Sequence, residues 1–147
     1  MIVRSAATFS SDLPEDEIEN EEGTDFIQYG GKSVIEAIAA ILTRLGCVVD
    51  PPEHAYEHGW DMHLAYGKTQ LWCQVTLIEN YLFFFEESSR SLISKLRGRH
   101  DTLYLDILTR LAQELGCDPR FHDVLWFRTE DVMQTDVPGT TEPVSAD

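Results

Sequence analysis

The chain reads WDMHLAYGKTQLWCQVTLIENYLFFFE from Trp60 to Glu86, and much of this stretch alternates between apolar and other side chains. Alternation with a period of two predicts β-strands, here at residues 60–66, 69–77 and 81–86. Gly67-Lys68 has the length and composition of a tight hairpin turn, and Glu79-Asn80 supplies the second turn. The stretch therefore predicts an antiparallel meander of three strands.

The alternation also assigns side chains to the two faces of the meander. One face is almost wholly apolar and is expected to pack on a helix; it holds Trp60, Met62, Leu64, Tyr66, Leu71, Cys73, Val75, Leu77, Tyr81, Phe83 and Phe85. The opposite face, called the mixed face below, is partly polar and partly aromatic. It holds Asp61, His63, Ala65, Trp72, Gln74, Thr76, Leu82, Phe84 and Glu86.

Helical periodicity flanks the meander on both sides. Ser33-Val34-Ile35-Glu36 has the form of a capping box, and apolar residues then recur at helical spacing until Gly46. A second helix is predicted from Thr102 to Leu115 with Asp101 as its N-cap, and residues 120–127 are predicted to form a last strand. The predicted fold class is α+β, an antiparallel meander sheet of three to five strands packed with two helices in the order α-β-β-β-α-β.

Composition divides the chain into one domain and two tails. Seven acidic residues lie between Asp12 and Glu22 with few apolar side chains, so residues 1–24 are expected to be a flexible acidic tail. Residues 129–147 are expected to be a second flexible, polar tail. Residues 25–128 are predicted to form a single α+β domain, with brief additional strands at 25–29 and 47–49.

Charge is the strongest compositional signal. Twenty-six acidic residues against eleven basic ones give a formal net charge of −15. This excess would repel nucleic acid and anionic membranes, and it favours steered association with a basic protein. Much of it lies in the expected tails, because residues 31–128 hold thirteen acids and ten bases. Four of those bases fall in a basic connector at residues 88–100.

Several features predict a cytoplasmic protein. Residues 1–5 are not followed by the apolar segment of a secretion signal, and the longest apolar run, 37–42, is too short to cross a bilayer. The cysteines are Cys47, Cys73 and Cys117, an odd number without metal-binding spacing. They are expected to be small hydrophobic residues and not disulfide partners or zinc ligands.

One motif resembles part of a phosphate-binding loop. Gly30-Gly31-Lys32-Ser33 leads into the first helix, as the end of such a loop would. Phe26 stands where the upstream glycine is required, and without that glycine the backbone amides cannot cradle a phosphate. A turn followed by a capped helix is the favoured interpretation.

Two groups of side chains could support catalysis. His54, His58 and His63 have spacing that a metal site could use, although no pattern for a fourth ligand accompanies them. Asp61, His63 and Glu86 could form an acid–base group on the mixed face. The bland interpretations are a solvated loop for the histidines and a solvated surface for the acids.

A binding surface is the stronger hypothesis. Trp72 and Phe84 stand on the mixed face, and exposed aromatic side chains beside polar groups are typical of binding hot spots. The alternative is that the connector at 88–100 or a terminal tail covers them. Acidic residues gather nearby, which suits a basic partner. The predicted partner-binding residues are Asp50, Glu53, Glu57, Trp60, Asp61, Trp72, Phe84 and Glu86.

A succession of short motifs resembles a group of small, uncharacterised proteobacterial proteins over residues 26–128. The motifs are Gly30-Gly31-Lys32-Ser33-Val34, Leu45-Gly46, His58-Gly59-Trp60, Leu71-Trp72, Asp118-Pro119-Arg120 and Val124-Leu125-Trp126-Phe127. In size and acidity the chain is also similar to immunity proteins of interbacterial toxins from type VI or contact-dependent secretion. The resemblance implies a toxin as the partner, and it implies no catalytic residue.

The sequence supports three functional hypotheses. The favoured one is a cytoplasmic immunity-type protein that occludes a cognate toxin with a basic surface, without a cofactor or metal and without turnover. The second is a cytoplasmic adaptor or regulatory domain that could dimerise through a sheet edge or the mixed face. The third is a small metal-dependent enzyme that uses His54, His58 and His63.

Overall fold

The computed structural model describes residues 1–88 and 100–146, and these fold into two α-helices and a mainly antiparallel sheet. The α+β class is confirmed. The helices are α1 (Lys32–Arg44) and α2 (Thr102–Cys117), and a 3-10 turn spans Tyr56–His58. The strands are β1 (Ile2–Val3), β2 (Ala6–Ser11), β3 (Ile18–Glu19), β4 (Phe26–Gln28), β5 (Val48–Val49), β6 (Glu53–His54), β7 (Trp60–Tyr66), β8 (Thr69–Leu77), β9 (Tyr81–Glu87), β10 (Phe121–Phe127) and β11 (Val144–Ser145). Neither described helix has the length and apolar character that a membrane span requires.

The predicted meander forms the middle of the main sheet. The strand order is β10-β2-β9-β8-β7-β5, with β6 also paired to β7. Tyr66 faces Thr69 across the Gly67-Lys68 turn, and Leu77 faces Tyr81 across the turn that contains Glu79-Asn80. Two small pairs, β3 with β4 and β1 with β11, lie outside this sheet. The sheet is wider than predicted because β2 and β10 extend it beyond β9.

The N-terminal segment 1–24 is not a flexible tail. β2 lies between β9 and β10, so it is an interior strand of the main sheet. Ala6, Ala7 and Phe9 are buried there. The acidic run that suggested disorder begins at Asp12, one residue after this strand ends. The prediction was wrong because composition averaged over 24 residues concealed a short strand of small and aromatic side chains.

The described part of the C-terminal segment, residues 129–146, also departs from the predicted tail. Thr140 N donates to Trp126 O at 3.0 Å, and Trp126 N donates to Thr140 O at 2.6 Å. β11 pairs with β1, and Arg4 N donates to Pro143 O at 2.7 Å. These contacts are made largely by the backbone, so a polar sequence without hydrophobic periodicity gives no local sign of them.

The core lies between the two helices and the predicted apolar face of the sheet. Leu71, Cys73, Val75, Phe83 and Phe85 are fully buried on that face. Each helix contributes a buried stripe, with Val34, Ile35, Ile38, Ile41 and Leu42 from α1 and Tyr104, Ile107, Leu108, Leu111 and Leu115 from α2. Phe9 on β2 and Trp126 on β10 extend the core past the meander. The mixed face is therefore the side of the sheet turned away from both helices.

The N-terminus of α1 has a different cap from the predicted capping box. The helix begins at Lys32 after Gly31, whose φ of 112° is in the left-handed region, so Ser33 lies within the first turn. Ser33 N donates to Asp16 Oδ2 at 2.7 Å. The cap thus comes from a residue 17 positions earlier, a contact that no local motif encodes. By contrast, α2 begins as predicted, with Leu103 N donating to the Asp101 side chain at 2.8 Å.

Asp16→Ala is expected to lower the free energy of unfolding by about 1–2 kcal/mol, because the substitution leaves the Ser33 N–H without its acceptor. Denaturation in urea, followed by circular dichroism, measures the loss. Asp16→Asn keeps an acceptor and tolerates the positive φ of 65° at this position, so it is expected to lose less than half as much. Ser33→Ala removes the hydroxyl of the predicted capping box and is expected to be nearly neutral. A large loss with Ser33→Ala and none with Asp16→Ala would contradict the assignment.

Candidate functional site

Cross-strand register joins several of the predicted binding residues in one row of the mixed face. Glu53 faces Asp61, Asp61 faces Gln74, and Gln74 faces Phe84. Phe84 in turn faces Ala6 on β2. Directly opposed side chains in an antiparallel sheet are close neighbours, with Cβ atoms about 4.5–5.5 Å apart. The row therefore runs from two carboxylates at one edge of the sheet to an aromatic ring near its middle.

A second row lies beside the first on the same face. His63 faces Trp72, and Trp72 faces Glu86. Trp72 and Glu86 are each partly buried, and His63 is exposed. His63 is on β7 and Glu86 is on β9, with Trp72 on β8 between them. The two side chains therefore share no hydrogen bond. The predicted acid–base group is consequently divided between β7, which carries Asp61 and His63, and β9, which carries Glu86. The aromatic and acidic residues, by contrast, are neighbours across the strands of one face.

The C-terminal segment covers the far end of the mixed face. Leu125 and Phe127 on β10 face Thr8 and Ala6, so they belong to this face. A Cβ added at Gly139 would lie closer than 3.0 Å to both side chains, which shows that the Gly139 backbone packs directly on them. A terminal segment therefore covers the end of the face at Leu125 and Phe127. The alternative interpretation concerned Trp72 and Phe84, and both of these side chains are partly buried. The other cover considered, the connector at 88–100, lies outside the described residues except at its two ends.

Three of the predicted binding residues lie away from the mixed face. Trp60 is 8% exposed, and its Nε1–H donates to Tyr29 O at 2.9 Å. It is a core residue, in agreement with its place on the apolar face, and it is not an interface side chain. Asp50 and Glu57 are exposed at opposite ends of the loop that carries β6. They can contribute to the electrostatic field near Asp61 without belonging to its row.

The three histidines do not come together. His54 faces Trp60 across the β6–β7 pair and so lies on the helix side of the sheet, whereas His63 lies on the mixed face. His54 Nε2 accepts a hydrogen bond from Tyr29 N at 3.0 Å, so this ring nitrogen is not available to a metal. His58 is exposed beside Glu57. Across residues 1–88 and 100–146, no group of three His, Cys, Asp or Glu side chains is arranged to hold a metal ion.

Two of the three cysteines have the buried hydrophobic role that was predicted, whereas Cys117, the last residue of α2, is exposed, so the prediction was wrong for it. Cys47 and Cys73 are buried, as predicted for small hydrophobic residues. Burial raises the pKa of the Cys47 thiol to about 11 and raises the pKa of the Cys73 thiol still further. A thiol must ionise to act as a nucleophile, so neither is available near neutral pH.

The carboxylates of the mixed face form no ion pair with a described cation. Within the part of the chain that the structure describes, Glu53, Asp61 and Glu86 take part in no ion pair. The described arginines that form ion pairs do so elsewhere: Arg44 with Glu114, Arg110 with Asp106, Arg120 with Asp118, and Arg128 with Glu130 and Asp131. Among the described residues, no ion pair neutralises the negative charge of this face.

A cleft of about 370 Å³ opens where the end of β9 meets the start of α2. The described residues lining it are Val3, Ser5, Glu86, Glu87, His100, Tyr104, Arg128, Thr129 and Glu130. Of these, sequence reasoning singled out Glu86 alone. Most of the others lie in segments predicted as tails or as the connector, so no local pattern could have indicated that they meet.

Two adjacent glutamates occupy different environments in the cleft. Thr129 Oγ1 donates to Glu86 Oε1 at 3.1 Å, and Ser5 Oγ lies 3.4 Å from the same oxygen and 2.8 Å from Thr129 Oγ1. The Glu87 side chain is 5% exposed, and its Oε1 accepts a hydrogen bond from Asp101 N at 2.7 Å. Glu87 thus helps to hold the start of α2, whereas Glu86 connects the cleft to the mixed face.

Comparisons with known proteins add nothing to this geometry, because no family model, curated protein or solved structure matches the chain. The resemblance to immunity proteins stays a prediction. Function has to be argued from the mixed face and the cleft.

Proposed function

We propose that this chain is a binding protein that docks a basic protein partner on its mixed face, as an immunity-type protein would occlude a toxin. The supporting observation is that Trp72 and Phe84 lie on one face of the sheet with Asp61 and Glu86, where Trp72 faces Glu86 and Gln74 faces both Asp61 and Phe84. The rings supply apolar contact area, and the carboxylates beside them are unpaired within the described residues. An aromatic centre with a charged rim is the usual composition of a binding hot spot.

Electrostatics supports the choice of a basic partner. Glu53 and Asp61 oppose each other at one side of the face, and Glu86 lies at another. A partner that presents lysine or arginine side chains would relieve the repulsion between these carboxylates. The net charge of −15 would also accelerate the encounter through long-range attraction. Both effects weaken with salt, since screening at 0.15 M acts over about 8 Å.

The adaptor hypothesis uses the same surface and differs only in the identity of the partner. The metal-dependent enzyme is the less favoured hypothesis, because His54 and His63 lie on opposite sides of the sheet. The test that separates immunity from adaptor function uses a toxin domain encoded by a neighbouring gene. Co-expression of the full chain is expected to protect cells from that domain, and a neighbouring toxin that kills regardless would contradict the immunity role.

The double charge reversal Asp61→Lys with Glu86→Lys is expected to weaken binding of that toxin domain by about 100-fold, since it replaces two attractive contacts with repulsive ones. Titration calorimetry at low and high salt measures both the affinity and its salt dependence. Glu79→Lys is the matched control, because Glu79 is exposed in the turn between β8 and β9 and makes no described contact. Unchanged affinity in the double variant would exclude the mixed face as the docking surface.

A further inference from the structure

Both backbone polar groups of Tyr29 are bonded to side chains at the edge of the main sheet. Tyr29 N donates to His54 Nε2 at 3.0 Å, and Trp60 Nε1–H donates to Tyr29 O at 2.9 Å. Tyr29 is the first residue after β4, and the β3–β4 hairpin lies outside the main sheet. These two bonds therefore attach the hairpin to the strands β6 and β7.

Aromatic rings surround the His54 imidazole. Its centroid lies 6.0 Å from that of the Tyr29 ring, 5.0 Å from that of Tyr56 and 5.1 Å from that of Trp60. The pairing of β6 with β7 also places His54 directly opposite Trp60. The imidazole is therefore held against the sheet by strand pairing and ring packing as well as by its hydrogen bond to Tyr29.

The hydrogen bond between Tyr29 and His54 requires a neutral imidazole. A neutral ring has one acceptor nitrogen, which here is Nε2, so its proton is on Nδ1. A protonated ring has two N–H donors and no acceptor. Rotation of the charged ring cannot restore the bond, because neither of its nitrogens can accept. Protonation of His54 therefore leaves the Tyr29 N–H facing a second donor.

The charged groups around His54 favour its protonation. Residues 5–31 and 45–67 contain no lysine or arginine. The titratable groups on the elements that pack against the imidazole are Asp25 and Tyr29 beside β4, Glu53 of β6, Tyr56, Glu57 and His58 of the 3-10 turn, and Asp61 and His63 of β7. Attraction from the carboxylates and opposition from the Tyr29 N–H act on the same ring, so uptake of a proton is coupled to loss of the bond.

We infer that His54 Nε2 and Tyr29 N form a pH-sensitive clamp that fixes the β3–β4 hairpin at neutral pH and loosens it in mild acid. The closed clamp binds one proton fewer than the loosened state, so acid favours the loosened state. A histidine in an unfolded chain gains this proton with a pKa of about 6.5. The segment that yields is the one after β4, because His54 is tied to β7 by strand pairing and ring packing.

Amide hydrogen exchange of the full chain, followed by NMR from about pH 7.5 to about pH 5.5, tests the clamp. The protection factor, which corrects for the intrinsic pH dependence of exchange, is expected to fall at least about tenfold at the Tyr29 amide. The midpoint of this fall is expected to coincide with the protonation of His54, read from its ring-nitrogen chemical shifts. The Leu45 amide, which donates to Ile41 O at the end of α1, is the internal reference and is expected to keep its protection.

Substitutions of His54 separate its charge from its shape. His54→Gln keeps an acceptor oxygen and does not titrate, so the protection of Tyr29 is expected to be equal at both ends of the pH range. His54→Phe keeps a ring against Tyr56 and Trp60 but has no acceptor, so low protection is expected throughout. His63→Gln, on the exposed part of the mixed face, is the matched control and is expected to respond as the wild type does. Constant protection of Tyr29 in the wild type, or a fall that persists in His54→Gln, would overturn the clamp.

Discussion

Deletion of residues 1–11 is expected to leave a protein without a cooperative unfolding transition. β2 pairs with β9 on one side and β10 on the other, so the deletion removes an interior strand and leaves two unpaired edges within the sheet. It also removes Phe9, whose ring lies 5.5 Å from that of Tyr81 and 5.3 Å from that of Phe121, measured between centroids. β10 would then lose its connection to the rest of the sheet.

A pair of point substitutions tests the same strand without shortening the chain. Phe9→Ala is expected to lower the free energy of unfolding by about 3–5 kcal/mol, because Phe9 is 2% exposed and its removal leaves a cavity in the core. Thr8→Ala changes the neighbouring residue on the mixed face and is expected to cost less than about 1 kcal/mol. Urea titrations read by tryptophan fluorescence give both values. A flexible tail would make both substitutions neutral, and that result would place β2 outside the sheet.

The parts of the fold that could be predicted from sequence are those with a dense local signal. The meander has three apolar runs with period-two alternation, and the turn at Gly67-Lys68 has the length that its register requires. The two helices have periodic apolar stripes and end at or near glycine. In each case the residues that carry the pattern lie within the element that they form, or within a few residues of it.

The parts that could not be predicted depend on contacts between distant segments. The Asp16 cap of α1 and the pairing of Thr140 with Trp126 involve residues 17 and 14 positions apart, and β2 pairs with β9 and β10, which lie more than 70 positions away. A strand of small residues such as Ala6-Ala7-Thr8 carries little periodic signal. Only the partners that lie on both sides of it make it an interior strand.

In the candidate site, too, some residues could be placed from the local sequence pattern and others could not. Alternation placed Asp61, Trp72, Phe84 and Glu86 on one face, and the register confirms that they share it. Trp60 belongs to the other face, and its buried indole N–H excludes it from the binding surface.

The cleft could not be predicted from the sequence because its walls come from four separate parts of the chain. Ser5 comes from the connection between β1 and β2, and Thr129 follows β10. The N-terminal segment that completes the sheet therefore also contributes one wall of this cleft.

Gly59→Ala is expected to lower the free energy of unfolding by about 2–4 kcal/mol, a large effect for one added methyl group. Gly59 has φ 87° and ψ −114°, a backbone conformation that residues with a Cβ rarely adopt. A Cβ there would lie closer than 3.0 Å to the backbone carbonyl oxygen of Val75. Val75 is a fully buried residue of β8, an interior strand, so neither side of the clash can move without disturbing the sheet.

Gly116→Ala adds the same methyl group where the structure has room for it. Gly116 lies in α2, and a Cβ added there would meet nothing within 4 Å. Alanine is the better helix former by about 1 kcal/mol, so this substitution is expected to raise the melting temperature while Gly59→Ala lowers it. Thermal denaturation of both variants gives the comparison. Equal melting temperatures would mean that Gly59 is free to adopt another conformation, and the close approach of β7 to β8 at that point would be wrong. Opposite shifts would support the positive φ of Gly59 and its close approach to the Val75 carbonyl.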